Sequence, residues 1–232
     1  MRHIRLVCNT GFVPLLTCQA VLFDLDGVLV DSTPCVTRVW TQWASHHGLD
    51  PERVANTAHG QKAIETVRKV TPQLDAEHEF RIIERMELAD TDGLRVLPGA
   101  KGLLSAIPPE RYTIVTSGTR RLATKRLHTV GLPVPSNMIS ADEVSNGKPH
   151  PGPYLAGAAA LGFDADECLV FEDAPSGIRS ALAAGAKVVA VSTTYRREEL
   201  SGAICIVPSL ASVQLRAIHE RGQLQFEIAD KS

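Results

Sequence analysis

The chain has 232 residues, 44% apolar and 22% charged, and its 24 basic and 26 acidic side chains leave a formal net charge of −2. That length suits one large domain or a domain carrying an inserted subdomain, and the near-neutral charge gives no electrostatic ground for nucleic acid or an acidic membrane as a partner. No apolar run is long enough to span a bilayer, and five scattered cysteines without a CxxC pair exclude a disulfide framework and a zinc site.

Residues 1–18 read as a disordered leader. Arg2 and Arg5 precede a weakly apolar stretch that Asn9, Thr10, Gly11 and Pro14 interrupt, a poor core for a signal peptide. From Ala20 to Asp24 a short apolar run predicts a buried strand. It ends in Asp24 and Asp26, one residue apart, then Gly27. Carboxylates do not sit inside an apolar strand without severe desolvation, so the pair belongs at the C-terminal edge of the strand, where open α/β sheets bind ligands. Two carboxylates this close repel unless a cation or a shared proton relieves them; Mg2+, with its preference for oxygen ligands, suits the place.

Pro34 to His47 turns helical, with Val36, Val39, Trp40 and Trp43 on one face. Asp50-Pro51-Glu52 is a helix start, a second helix begins near Gly60 and runs through Val70, and a longer one spans about Asp75 to Asp90. After Pro98-Gly99 strands and helices alternate. Strands are expected at Tyr112–Val115, Cys168–Phe171, Lys187–Val191 and Ala203–Val207. Helices are expected at Arg121–Val130, Pro153–Leu161 and Ser176–Ala184, the last with Ser176 as N-cap. Alternation of this kind implies a parallel sheet covered on both faces. The fold class is therefore α/β, a doubly wound parallel-sheet, Rossmann-like core over 19–33 and 95–216, interrupted by an all-helical cap over 34–94. The polar tail, 217–232, is expected to fray. Cys168 and Cys205 read as packed thiols, which implies a reducing, cytoplasmic setting.

Further polar groups fall at strand ends or loops: Thr116-Ser117-Gly118, Lys148 in a Gly/Pro loop, and Glu172-Asp173. Parallel strands put their C-terminal ends on one side, so these groups can converge with Asp24 and Asp26. By type they suit phosphoryl transfer: carboxylates for Mg2+, a hydroxyl and backbone N–H groups for phosphate oxygens, a lysine for developing charge, and an aspartate nucleophile.

The run Asp24-Leu25-Asp26-Gly27-Val28-Leu29-Val30-Asp31-Ser32, followed in order by Thr116-Ser117, Lys148-Pro149 and Glu172-Asp173, resembles the haloacid dehalogenase superfamily, in the branch whose helical cap follows the first motif. The resemblance implies that Asp24 is the nucleophile and that Asp26 is the general acid/base, which also offers its backbone carbonyl to Mg2+. It implies that Thr116, Ser117 and Gly118 bind phosphate and that Lys148 tethers nucleophile and phosphate. It assigns Asp173 as a Mg2+ ligand, with Glu172 beside it on or near the metal. An aspartate at the position of Asp26 marks the phosphatases and mutases of this superfamily. His59-Gly60-Gln61-Lys62 resembles the His-Gly-x-Arg segment of sugar- and polyol-phosphate phosphatase caps, with Lys62 where arginine is usual, and gives His59 and Lys62 as substrate contacts. The expectation is a Mg2+-dependent phosphatase of small sugar or polyol phosphates, working as a monomer. A β-phosphoglucomutase-like mutase and a non-catalytic phosphosugar-binding regulator are the alternatives.

Overall fold

A computed structural model describes residues 15–58 and 60–229. Its elements run β1 (Leu15–Cys18), β2 (Ala20–Phe23), β3 (Val30–Asp31), α1 (Thr33–His46), α2 (Pro51–Ala58), α3 (Ala63–Val70), α4 (Ala76–Ala89), β4 (Arg95–Val96), α5 (Ala100–Ala106) and β5 (Tyr112–Ile114). They continue α6 (Arg120–Val130), α7 (Gly152–Leu161), β6 (Cys168–Glu172), α8 (Pro175–Ala183), β7 (Lys187–Val191), β8 (Cys205–Val207), β9 (Val213–Ile218) and β10 (Leu224–Ile228), with short 3-10 turns between.

The central sheet has five parallel strands in the order β5-β2-β6-β7-β8. Its strands are buried throughout apart from Lys187 and the half-exposed Ile206, which is why they read as continuous apolar runs rather than alternating ones. One face packs Val21, Phe23, Phe171 and Val189 against α5 and α6; the other packs Leu22, Val170 and Val188 against α7 and α8. Phe23 and Phe171, paired across β2 and β6, stack with ring centroids 5.3 Å apart. The chain leaves β2 for β5 on one side and β6 on the other. That branch point is where a crevice opens at the C-terminal ends of the strands.

The helices α1–α4 enclose a separate apolar cluster built on Val39, Trp40, Trp43, Val54, Val67 and Ile83. The chain passes into and out of this cap through β3 and β4, which pair antiparallel as Val30↔Val96 and Asp31↔Arg95. Arg95 closes that base with two hydrogen bonds to Asp31 Oδ2, at 2.9 and 2.7 Å. The helix starts follow ordinary capping chemistry: Asp75 accepts from the amides of Glu77 and His78, and Thr119 accepts from Leu122.

Three expectations are corrected. Over residues 217–229 the tail does not fray: β9 and β10 form an antiparallel sheet in the order β1-β10-β9, and residues 230–232 lie outside the described residues. Leu224, Phe226 and Ile228 are buried and join the apolar cluster that holds Phe171. Their two-residue alternation carried the strand signal beneath a polar average. The leader likewise ends earlier, because residues 15–18 are β1 and Leu16 and Cys18 are buried; residues 1–14 lie outside the described residues. Ser176 is not an N-cap. Ala174 holds that position with Pro175 opening the helix, and the Ser176 hydroxyl donates to Gly60 O in the cap.

Candidate active site

Three neighbouring strands deliver the site. Asp24 follows β2, Thr116 lies two residues past β5, and Glu172 and Asp173 close β6. All four are buried, as is Lys148. Lys148 Nζ donates to Asp24 Oδ1 at 2.5 Å, to Glu172 Oε1 at 2.6 Å and to Val115 O at 3.2 Å. Its three protons are thus all directed, and the ammonium is fixed between two strands. Burial works against the charged lysine, but Asp24 and Glu172 outweigh it and hold its pKa above the ordinary value.

The acids outnumber this one cation. Asp24, Glu172 and Asp173 bring carboxylate oxygens within 4.8 Å of one another. Burial pushes Asp24 up to about 7, with Glu172 and Asp26 adding to the rise and Lys148 opposing it. Asp173 is also raised, by burial first and then by Glu172 and Asp24. Surplus negative charge on buried oxygen ligands is the environment that a small divalent cation relieves. Gly27 leaves room for the Asp173 carboxylate: a Cβ there would lie 1.9 Å from Asp173 Oδ2, and its φ of +84° is one glycine accepts readily.

Glu172 is more committed than expected. Its Oε1 accepts from Lys148 and from the Tyr154 hydroxyl at 2.9 Å, and its Oε2 accepts from the amides of Asp173 and Ala174 at 2.8 and 2.9 Å. It aims Lys148 and secures the start of α8, which leaves Asp24 and Asp173 with the freer oxygens.

Asp26 stands apart from that cluster. Its Oδ2 accepts from Arg126 Nη1 at 2.8 Å, while its Oδ1 is buried without a hydrogen-bond partner among the described residues. Arg126, on α6, also faces Glu87 of α4 at 3.7 Å. Thr116 Oγ1 accepts from the Gly118 amide at 3.0 Å, which folds this short segment back on itself beside the cavity.

In the cap, the Lys62 ammonium donates to Ala141 O at 2.9 Å and Val144 O at 2.6 Å, so it binds the cap to the core, and the residue also lines the cavity. Gly60 O adds to that clasp by accepting from Ser117 and Ser176. His59 lies outside the described residues.

The cavity between core and cap measures about 220 Å3 and is lined by Asp24, Asp26, Thr116, Ser117 and Asp173 from the core and by Val36, Trp40, Phe80, Glu84 and Glu87 from the cap. Sequence reasoning missed Arg126, Tyr154 and the two cap glutamates. Arg126 follows Leu122 by four residues and Ala123 by three, so helical spacing already set a charge on the buried face of α6. Glu87 follows Ile83 in the same way.

The haloacid dehalogenase-like hydrolase profile matches residues 18–185. The chain belongs to this family. Hexitol phosphatase A of Escherichia coli (strain K12) is 42% identical to it over 206 residues, 85% of this chain and 94% of that protein. Glycerol-1-phosphate phosphohydrolase 2 of Saccharomyces cerevisiae is 32% identical over 93% of this chain and 92% of its own length. The crystal structure of a hydrolase from Pseudomonas syringae superposes with a TM-score of 0.70 at 28% identity, covering 83% of this chain and 94% of that one. This haloacid dehalogenase-like hydrolase therefore has the family's Rossmann-like core, and its relatives include sugar and polyol phosphate phosphatases. No helix among the described residues is long and apolar enough to cross a membrane.

Proposed function

We propose that this hydrolase is a Mg2+-dependent phosphatase of small sugar or polyol phosphates that works through an aspartyl-phosphate on Asp24. The observation that carries the reading is the pairing of two differently treated aspartates in one cavity. Asp24 is held at 2.5 Å by Lys148, and Asp26 keeps one buried oxygen without a partner among the described residues. Two carboxyls in unlike surroundings take unlike roles.

Asp24 and Asp173, with the Asp26 backbone carbonyl, would hold Mg2+, which supplies charge neutralisation for the phosphoryl group. Thr116 and the Ser117 amide receive phosphate oxygens. Lys148 keeps Asp24 oriented and offsets charge as its carboxylate attacks phosphorus. Asp26 gives a proton to the departing alcohol oxygen through the free Oδ1, then takes one from the water that cleaves the aspartyl-phosphate. The cap excludes bulk water and holds the leaving group. The enzyme acts as a monomer in the cytoplasm.

The test is phosphate release with Mg2+ from hexose 6-phosphates, 2-deoxyglucose 6-phosphate, hexitol phosphates, glycerol phosphates and β-glucose 1-phosphate. Release should be abolished by EDTA and reduced by at least ~10^4-fold in Asp24→Asn. Glucose 6-phosphate formed from β-glucose 1-phosphate with little free phosphate would make the protein a mutase. Ligand binding without turnover in the wild type would make it a regulator.

A further inference from the structure

The core half of the cavity is devoted to phosphate, so the cap half meets whatever leaves with the ester oxygen. The charges there are unequally balanced. The Lys62 ammonium is turned to the carbonyls of Ala141 and Val144. Glu87 is buried and faces the Arg126 guanidinium, which in turn holds Asp26. Glu84 differs from both. Its Oε1 accepts the Thr119 hydroxyl at 2.6 Å, a neutral donor, and among the described residues its carboxylate makes no ion pair. It lines the cavity beside Phe80 and Trp40.

From this arrangement we infer that Glu84 is the specificity-determining residue of the cap. Its carboxylate accepts hydrogen bonds from hydroxyls of an uncharged polyhydroxy leaving group and repels leaving groups that carry a second anion. The inference rests on reading the site as a phosphatase and narrows its substrates to monophosphates of neutral sugars and polyols. Sugar acids and bisphosphates are excluded.

A carboxylate is an acceptor only, so each free lone pair of Glu84 requires a donor from the ligand. A polyol supplies such donors along its whole length. A carboxylate or second phosphate in the same place supplies none and meets a like charge between core and cap, where juxtaposed like charges are disfavoured. Thr119 is the N-cap of α6 and lies three residues past Thr116, so the group that orients Glu84 belongs to the same rigid segment as the phosphate turn. Trp40, Phe80 and Val36 offer apolar faces to the C–H side of a sugar chain.

The experiment compares kcat/KM for a hexitol 6-phosphate with that for 6-phosphogluconate, in the full-length protein with Mg2+. The two have chains of equal length and differ by the carboxylate at the far end. Wild type is expected to favour the neutral substrate by roughly 30-fold or more, within the range that one unmatched charged or hydrogen-bonding group imposes. Glu84→Gln should lower that ratio at least about tenfold, mainly by lowering KM for the sugar acid, and Glu84→Lys should lower it further. Thermal melting of both variants confirms that each is folded. Equal use of the two substrates by wild type, or a ratio unchanged in both folded variants, overturns the inference and leaves the phosphatase reading standing. A wild type that hydrolyses neither these esters nor p-nitrophenyl phosphate brings down that reading, and the inference with it.

Discussion

The parallel sheet and the helical cap both bury charged side chains, but they hold them differently. In the core, Lys148, Asp24 and Glu172 are anchored by strand ends whose backbone is pinned on both sides: the Asp24 amide, for instance, donates to Phe171 O at 3.0 Å. In the cap, Glu79 and Glu87 sit on the inner face of one helix and depend on side chains brought by others. Glu79 accepts from Trp43 Nε1 at 2.8 Å and contacts His47 at 3.1 Å, whereas Glu87 relies on Arg126 from the core. The sheet gives the site its geometry, and the cap touches that geometry at few points, through Glu87 on Arg126 and Gly60 on Ser117. The cap is joined to the core at β3–β4 and by the clasp around Gly60 and Lys62, and its side chains wall the cavity opposite the strand ends.

The largest expected effect breaks the core side of this contrast. Lys148→Met leaves Asp24 and Glu172 buried beside each other without their ammonium. Removing one partner of a buried pair costs about 3–5 kcal/mol. Denaturant unfolding in EDTA should show that loss, and turnover should vanish on every substrate. Stability equal to wild type would mean that the network does not hold the sheet edge together.

A middle-sized effect isolates the cap. Trp43→Phe retains the ring packing against Trp40 but removes the indole donor to Glu79, leaving that carboxylate with His47 alone, and losing one hydrogen bond to a charged group costs about 1.5–3 kcal/mol. Unfolding should report a loss in that range. Steady-state kinetics should show KM raised more than kcat is lowered, because the phosphate site is untouched. A fall in kcat with KM unchanged would contradict the division of labour between the two regions.

The smallest effect sharpens the comparison through thiols. Burial pushes Cys18 and Cys168 up to about 12, from 9.0. An acid with a raised pKa in the fold stays protonated while the unfolded chain ionises. Stability is therefore at its full value below pH 9 and declines as pH rises from 9 toward 12. Melting at pH 8 and pH 10.5 should show that decline. Alkylation at pH 8 should spare Cys18 and Cys168 in the native protein. Cys35, which lies in the cap and whose thiol donates to Asp92 O, should react before them as denaturant is added. Labelling of the three at one rate would mean that cap and core open together.

Much of the site was legible without coordinates because its signals are local. An apolar run that stops at Asp24 and Asp26, hydroxyls just past Ile114 and acids at the end of a second apolar run each betray a strand edge within a few residues. The helix Thr33–His46 was legible for the same reason and differs from the expectation by one residue at each end. Arg126 was harder to find. Its spacing marks it as buried, but its partner Asp26 is 100 residues away in sequence.

By itself, then, the sequence determined the class of fold and put the candidate polar groups at strand ends of a parallel sheet, since both follow from periodicity and residue type over a short window. Only the tertiary structure decided that Lys62 binds carbonyls of the core, that Glu84 is left without a cation among the described residues and that the apparent tail is a strand packed beside Phe171. Each of these outcomes depends on which donor, acceptor or apolar face a distant segment brings into contact. A charged or apolar side chain has the same local signature whether that contact is made or not, and it is the contact, through desolvation and pairing, that fixes what the residue does.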